Sequence, residues 1–386
     1  MNHIDLIAYR RPWLSTLRLS AGFTRATTTI ETSMLERIIA AYKLARITES
    51  KLPGTSRDVW TQIKSSYMGE LIALLERGEP VPLANYLRYL PSNDAGHGFL
   101  QGRVTYEAAL ANTSAQRGRL CWIVDSICGV AEGIGVLPLM CPEQLGWDRV
   151  PIVHLSELIA KIEHTLGTQI SVPDVCAGLL GLSVDNRVFH MRSACGALVA
   201  WRLKEWMQQQ EKKTLSDCRI GEIGSGIGLV PYFLTAFGAT AISVFDLPEL
   251  NAMQAYFLAQ ALPGYPLTLF GESKPTNDIA IRILPYFTFS DFGHAAFDII
   301  VNQDSFPEIE RETVLRYLRH IAKTSRYLLS INQETQAPQS EAGRQLFMSD
   351  LVGEVSGLCR IYRFPFWARY GYVEEMYCCP LVRSSN

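Results

Sequence analysis

The chain has 386 residues, 48% of them hydrophobic, with nine cysteines and a formal net charge of −2. That length suits two domains with a sizeable core, and near-neutrality excludes a global electrostatic pull toward nucleic acid or anionic membrane. No stretch nears the roughly 20 apolar residues of a membrane span, and cysteines without C-x-x-C spacing exclude an obvious zinc site, leaving buried free thiols of a reducing compartment.

The opening residues lack the apolar core and cleavage site of a secretory signal. Arg10-Arg11 resembles a twin-arginine signal, but no apolar segment follows, so a cytoplasmic protein is expected; Arg10, Arg11, Arg18 and Arg25 form a local basic cluster. Apolar residues at 34, 35, 38, 39, 42 and 44 predict a helix over Met34–Ile47. Trp60, Ile63, Tyr67, Leu71, Leu74 and Leu75 predict another over Val59–Arg77, which Gly78 ends. Pro80, Pro82 and Pro91 read as a connecting region and residues 92–98 as a loop. A buried helix over Leu120–Val136 and a helix over Leu155–Leu166 capped by Ser156 come next. Residues 169–187 look irregular, and a long helix is expected over Asn186–Gln210. With no internal repeat in view, the expected domains are 1–185, mainly helical, and 186–386.

From Cys218 onward apolar runs of strand length alternate with helical patterns, which implies a mostly parallel, doubly wound α/β sheet of Rossmann-like type. Strands are expected at 219–223, 241–246, somewhere within 266–284, at 297–302 and 326–331, and twice near the C-terminus. Helices are expected at 228–237, 249–262 and 308–323. The segment Arg219–Leu250 carries the chemistry. Glu222 sits at the tip of the first strand, Gly224, Gly226 and Gly228 allow a sharp turn and close backbone approach to a ligand, and Asp246 ends the next strand, where an acid can hold a ribose diol. The dinucleotide pattern G-x-G-x-x-G does not fit, because its third glycine falls on Leu229 or Pro231. The plain alternative is a tight strand-to-helix turn flanked by two solvated acids.

E-x-G-x-G-x-G instead resembles the first motif of class I methyltransferases. The resemblance implies an S-adenosylmethionine site in which Glu222 lies near the amino group, Gly224, Ser225, Gly226 and Gly228 pass under the methionine part, and Asp246 with Leu247 holds the ribose end. A second cluster, FDIIVNQDSFPEI at 297–309, places Asn302, Asp304, Ser305 and Glu308 at another strand's carboxyl end, with Asn302 on the cofactor side. Ser305 with Glu308 also matches a capping box. A third strand ends at Asn332 and Glu334. DLPE at 246–249, Q-x-Y-F-L at 254–258 and the 297–309 cluster together resemble the bacterial sugar O-methyltransferase family, with Tyr317 and Asn332 matching further positions and Ile309 departing from its usual Met. That resemblance covers roughly residues 210–335 and implies O-methylation of a sugar-like acceptor.

A sugar hydroxyl is a poor acid, so methyl transfer to it calls for a general base or a metal. Asp304 is the leading base and Glu308 the second; Asp291, His294, His320, Glu334 and His97 are further candidates, and Ser305, Asn332 and Glu334 are expected to bind substrate. Magnesium could use Asp304, Glu308 or Glu334, but no dedicated ligand spacing indicates a metal site. The aromatic string at 364–377 reads as a closing hairpin, with Phe364, Phe366, Trp367, Tyr370 and Tyr372 as core or as a wall for a sugar ring. Expected partners are a small-molecule acceptor and a second copy in a homodimer, with neither nucleic acid nor membrane; an N/D-P-P-Y/F motif for base methylation is missing. Two alternatives stay open: an aromatic, polyketide or peptide-derived acceptor, which Trp60, Trp122 and Trp147 permit, and a catalytically inactive binding or scaffold protein of the same fold.

Overall fold

The computed structural model describes Ile7 and residues 10–52, 59–139, 154–273, 279–334 and 346–383. Trp147 and Cys141 lie outside these residues, as does the side chain of Trp60. The chain divides into two compact units: Met1–Thr27 with Tyr89–Arg202 and Trp367–Tyr370, and Thr28–Arg88 with Leu203–Phe366 and Gly371–Asn386. This differs from a single boundary at 185/186, because the helices between 28 and 88 belong with the large sheet. Of these, Thr32–Glu49 packs against the helix Pro248–Ala261, and Gly69–Arg77 and Pro80–Arg88 pack against Thr32–Glu49.

The first unit is helical around a small antiparallel sheet. Helices run over Arg103–Ala111, Thr113–Gly133 and Leu155–Leu166, and the helix Met191–Glu211 begins here. Asn112 caps the second, its Oδ1 accepting from the N–H of Ser114 at 2.9 Å and of Ala115 at 3.2 Å. Strands β1 (Ala21–Phe23), β2 (Leu180–Val184) and β3 (Arg187–Phe189) pair in that order. The region read as irregular is without helix or strand up to Leu179, as expected, but from Leu180 it forms a hairpin, turned by Asp185 and Asn186 at φ 49° and 60°. Two residues tolerant of left-handed backbone make such a tight turn. The following helix starts at Met191 rather than Asn186. Ser156 does not cap Leu155–Leu166; His154 holds that position without a side-chain bond, and the Ser156 hydroxyl donates to Asp185 instead. Arg11 is 3% exposed, with Nε 2.6 Å from Asp125 and Nη1 2.6 Å from Glu132. It is a buried ion-pair partner rather than part of a basic surface.

The second unit holds an eight-stranded sheet: β4 (Arg219–Ile223), β5 (Ala241–Asp246), β6 (Leu267–Leu269), β7 (Ala280–Pro285), β8 (Phe297–Gln303), β9 (Ser325–Gln333), β10 (Cys359–Pro365) and β11 (Tyr372–Cys378). Their spatial order is β10-β11-β9-β8-β4-β5-β7-β6. All neighbours are parallel except β9–β11 and β11–β10, so the closing hairpin is present as expected. Both short runs between 266 and 285 form strands. The parallel strands read as continuous apolar runs because helices bury both faces. The helix Arg311–Thr324 buries Val314, Leu315, Leu318 and Ile321 in one cluster with Ile300, Leu328 and Phe289. The expected helix over Val59–Arg77 is two, broken at Met68, and Gly78 ends the second at φ 77°. The proline-rich connection is itself a helix, Pro80–Arg88, because proline suits a first turn. This mixed, mainly parallel sheet with helices on both faces is a Rossmann-like doubly wound fold. From β4 the chain moves out to β5 and β7 on one side and returns to β8 on the other, so a crevice opens at the carboxyl ends of β4 and β8. Among the described residues no helix is long and apolar enough to cross a membrane.

In the first unit, a Cβ on Gly129 would lie 2.0 Å from the Trp367 carbonyl oxygen. Alanine in a helix interior ordinarily stabilises relative to glycine, but overpacking here should dominate. Gly129→Ala is expected to lower stability by about 1–3 kcal/mol in urea denaturation; a midpoint equal to or above that of the parent sinks the close contact.

Candidate functional site

At the end of β4 the backbone turns through Gly224, Gly226 and Gly228 at φ 76°, 59° and 94°. Gly224 is required twice over, since a Cβ there would sit 2.3 Å from the Ser305 hydroxyl oxygen. The helix Leu229–Ala236 starts directly after Gly228. The loop thus brings backbone to the crevice at a helix N-terminus.

The two acids flanking this loop are not solvated. Glu222 is 1% exposed and Asp246 7%. They end adjacent parallel strands, with Glu222 beside Val244 in the register. Ser225 Oγ donates to Glu222 Oε2 at 2.6 Å, and Oε1 is buried with no hydrogen-bond partner. Burial pushes the Glu222 carboxyl up to about 8, reinforced by the charge of Asp246 and opposed by Ser225. Burial pushes Asp246 up to about 7, opposed by donors from the N–H of Leu247, from Gln254 and from the N–H groups of Ser225 and Gly226. The Leu247 N–H reaches Oδ1 at 2.9 Å, and Gln254 Nε2 reaches Oδ2 at 2.8 Å. An orphaned buried carboxylate oxygen calls for a cationic or N–H donor. A second acid nearby offers acceptors to a diol.

The expected Asn302, Ser305 and Asn332 lie in one buried network beneath the loop. Asn302, 0% exposed, donates to the Ile223 carbonyl at 2.9 Å and to the Ser305 hydroxyl. Asn332 donates to Asn302 Oδ1 and Ser330 Oγ, both at 2.9 Å. The capping-box expectation fails: Ser305 makes no side-chain cap, its hydroxyl instead donating to the Ile223 carbonyl at 3.3 Å. Ser305 and Asn332 are 6% and 3% exposed, so they shape the strand ends.

Asp304 follows β8 with φ 60°, a left-handed backbone that asparagine and aspartate tolerate better than most residues. Its N–H donates to the Ile331 carbonyl at 2.9 Å, and its carboxylate accepts the Tyr372 hydroxyl. Glu308 is half-buried one short 3-10 turn on, its N–H donating to the Ser305 carbonyl at 3.0 Å. Glu334 is engaged elsewhere: Arg363 grips it through Nη1 at 2.8 Å and Nη2 at 2.6 Å. Asp291 and His294 are exposed before the amino end of β8, at the edge opposite Asp304. His320 is half-buried, its ring edge-on to Phe289 at 4.9 Å. His97 belongs to the first unit. No cluster of three or more metal-ligating side chains occurs among the described residues.

Of the residues that take part in these contacts, Arg363 was not singled out from the sequence, while Gln254 was noted only within the 254–258 motif and Tyr372 only as core or as a wall for a sugar ring. Gln254 carried a signal, a polar residue in the helix after Asp246 at a position wholly buried. Tyr372 was marked by its aromatic string, but its bond to Asp304 was not legible, and Arg363 carried no signal, because both arrive from the hairpin late in the chain.

No family model matches the chain, and no curated protein matches it. Solved structures do. A magnesium protoporphyrin IX methyltransferase from Synechocystis, with bound S-adenosylmethionine, is 16% identical, covers 48% of this chain and 79% of its own, and has a TM-score of 0.34. A methyltransferase from Methanosarcina mazei is 16% identical over 42% of this chain and 92% of its own, at a TM-score of 0.31. One from Mesorhizobium loti is 14% identical over 45% and 97%, at 0.30. The fold stands on the strand order above, not on these partial overlaps.

The raised acids set a pH dependence of stability. Each binds its proton more tightly folded than unfolded, so its contribution is fully present below the unfolded value, 4.5 for glutamate and 3.8 for aspartate, and is lost as pH rises through about 8 and about 7. The melting temperature of the parent is expected to fall between pH 5 and pH 9 more steeply than that of Glu222→Gln. Parallel profiles would show that Glu222 is ionised at no cost.

Proposed function

We propose that this chain binds S-adenosylmethionine in the β4–β8 crevice and methylates a hydroxyl oxygen of a small acceptor, a sugar or glycosylated intermediate. The observation that carries the reading is the pair of buried acids, Glu222 and Asp246, at the ends of adjacent parallel strands around three positive-φ glycines. The residues fit the ligand's chemistry: the unpartnered Glu222 oxygen suits an α-amino group, Asp246 suits a ribose diol, and the loop of Gly224, Ser225, Gly226 and Gly228 suits close backbone approach. Leu247, which follows β5 and caps the next helix, and Asn302, on β8, flank this site. S-adenosylmethionine, when bound, supplies an electrophilic methyl group on a sulfonium and leaves as the neutral thioether.

For the acceptor, Asp304 is the proposed general base. Its backbone is pinned to β9 and its carboxylate oriented by Tyr372, so the group that takes the hydroxyl proton is held in place. Glu308 is assigned to a substrate hydroxyl. Glu334 is held in a two-pronged pair by Arg363, which leaves acceptor positions on both oxygens for a substrate hydroxyl. An aromatic or polyketide acceptor is the second enzymatic reading, and a panel of sugars, glycosides and phenols separates the two.

Calorimetry with S-adenosylmethionine and S-adenosylhomocysteine tests the cofactor. Micromolar binding by the parent, weakened at least about tenfold in Asp246→Ala, is expected from loss of a charged hydrogen-bond acceptor. An intact, folded protein that binds neither compound overturns the reading in favour of a scaffold. Once an acceptor is found, Asp304→Asn is expected to lower kcat by about 10²–10⁴ with S-adenosylhomocysteine affinity unchanged. An unchanged kcat removes Asp304 from proton transfer.

A further inference from the structure

Gln254 is wholly buried on the helix that follows Asp246, two turns in from its start. Its side-chain amide makes three bonds that together span the crevice wall. Nε2 donates to Asp246 Oδ2 at 2.8 Å and to the Gly226 carbonyl at 3.0 Å, and Oε1 accepts from Asn251 Nδ2 at 3.0 Å. Both Nε2 protons therefore have acceptors, and the Asn251 bond fixes which end of the amide faces the acid. A flipped amide would set Oε1 against the Asp246 carboxylate and the Gly226 carbonyl, three acceptors with no proton among them.

Asp246 is crowded with donors. The N–H of Leu247 takes Oδ1 at 2.9 Å, Gln254 takes Oδ2, and the N–H groups of Ser225 and Gly226 also reach the carboxylate. A carboxylate has about four acceptor sites, so ribose hydroxyls compete with donors already present. The loop amides sit on a glycine-rich turn at positive φ and can yield. The Gln254 side chain is 0% exposed and anchored at its other end, so it stays. The ionisable neighbour facing Asp246 is Glu222, on β4.

We infer that Gln254, held by Asn251, is a positioning residue for the cofactor site: it fixes the plane of the Asp246 carboxylate and ties it to the glycine loop, so that the ribose diol meets a preset acceptor. This rests on the cofactor reading above. The relay needs no second domain and no acceptor, and can be read with ligand binding alone.

The test is calorimetric binding of S-adenosylhomocysteine to the full chain and to Gln254→Met, a near-isosteric change without the amide, between pH 6 and pH 9. Melting curves without ligand check that the variant is folded. About tenfold weaker binding at pH 7.5 is expected. The pH at which affinity reaches half its plateau should also move upward, because a donor that favours ionised Asp246 is gone. Asn251→Ala, which frees the amide while leaving Gln254 in place, should move both readouts in the same direction by less, and serves if Gln254→Met does not fold. A folded Gln254→Met, or failing it Asn251→Ala, with parental affinity and an unmoved pH profile overturns the inference, as does an affinity loss with no change in the profile, which marks Gln254 as packing only. If the parent itself binds no S-adenosylhomocysteine, the cofactor reading fails first and the inference with it.

Discussion

The second unit is organised around two carboxylates buried side by side at the ends of β4 and β5. Taking acids out of water costs free energy unless donors meet them, and the surrounding structure is largely a set of such donors. Ser225 meets one oxygen of Glu222; Leu247, Gln254 and the loop amides meet Asp246. The glycines are needed because the turn that brings those amides close takes positive φ at 224, 226 and 228, and because Ser305 already fills the space beside Gly224. One Glu222 oxygen is left over. On the proposed reading, a bound ligand brings the donor that this buried oxygen lacks.

A second layer lies under the loop. Asn302, Ser305 and Asn332 connect β8, β9 and the Ile223 carbonyl of β4, so three strand ends are locked in register where the crevice opens. Against this rigid floor Asp304 stands out, with left-handed backbone and a tyrosine hydroxyl on its carboxylate. Such backbone positions persist when surrounding bonds over-determine them, and they gather at functional sites.

The parallel strands, the glycine turn and the acids at 222 and 246 were legible because their signals are local: apolar runs of strand length, glycines at fixed spacing and an acid at each strand's end. Strands β2 and β3 were hidden because Asp185-Asn186 resembles loop chemistry and the strands are only five and three residues long. Pro80–Arg88 was hidden because proline signals both a connection and a helix start. Ser305, Asn332 and Glu334 carried the right chemistry at the right edge, yet their partners, Ile223, Asn302 and Arg363, lie distant in sequence. Which polar groups neutralise one another is decided by strand order, and no single segment encodes that.

The division of the chain has a bearing on synthesis. Helices between 28 and 88 emerge from the ribosome first, but the strands and helices of their own unit arrive only after residue 203, and its final hairpin only with Tyr372–Cys378. The intervening unit has nearly all of its residues, up to Arg202, in hand well before then. The early helices must therefore hold apolar faces such as Ile38, Ile39 and Tyr42 exposed while more than a hundred residues are translated. Long-range closure of this kind slows folding and leaves nascent chains open to aggregation. A version starting at the glycine-rich half would lack those helices altogether, and would present to solvent the face of Pro248–Ala261 that they cover.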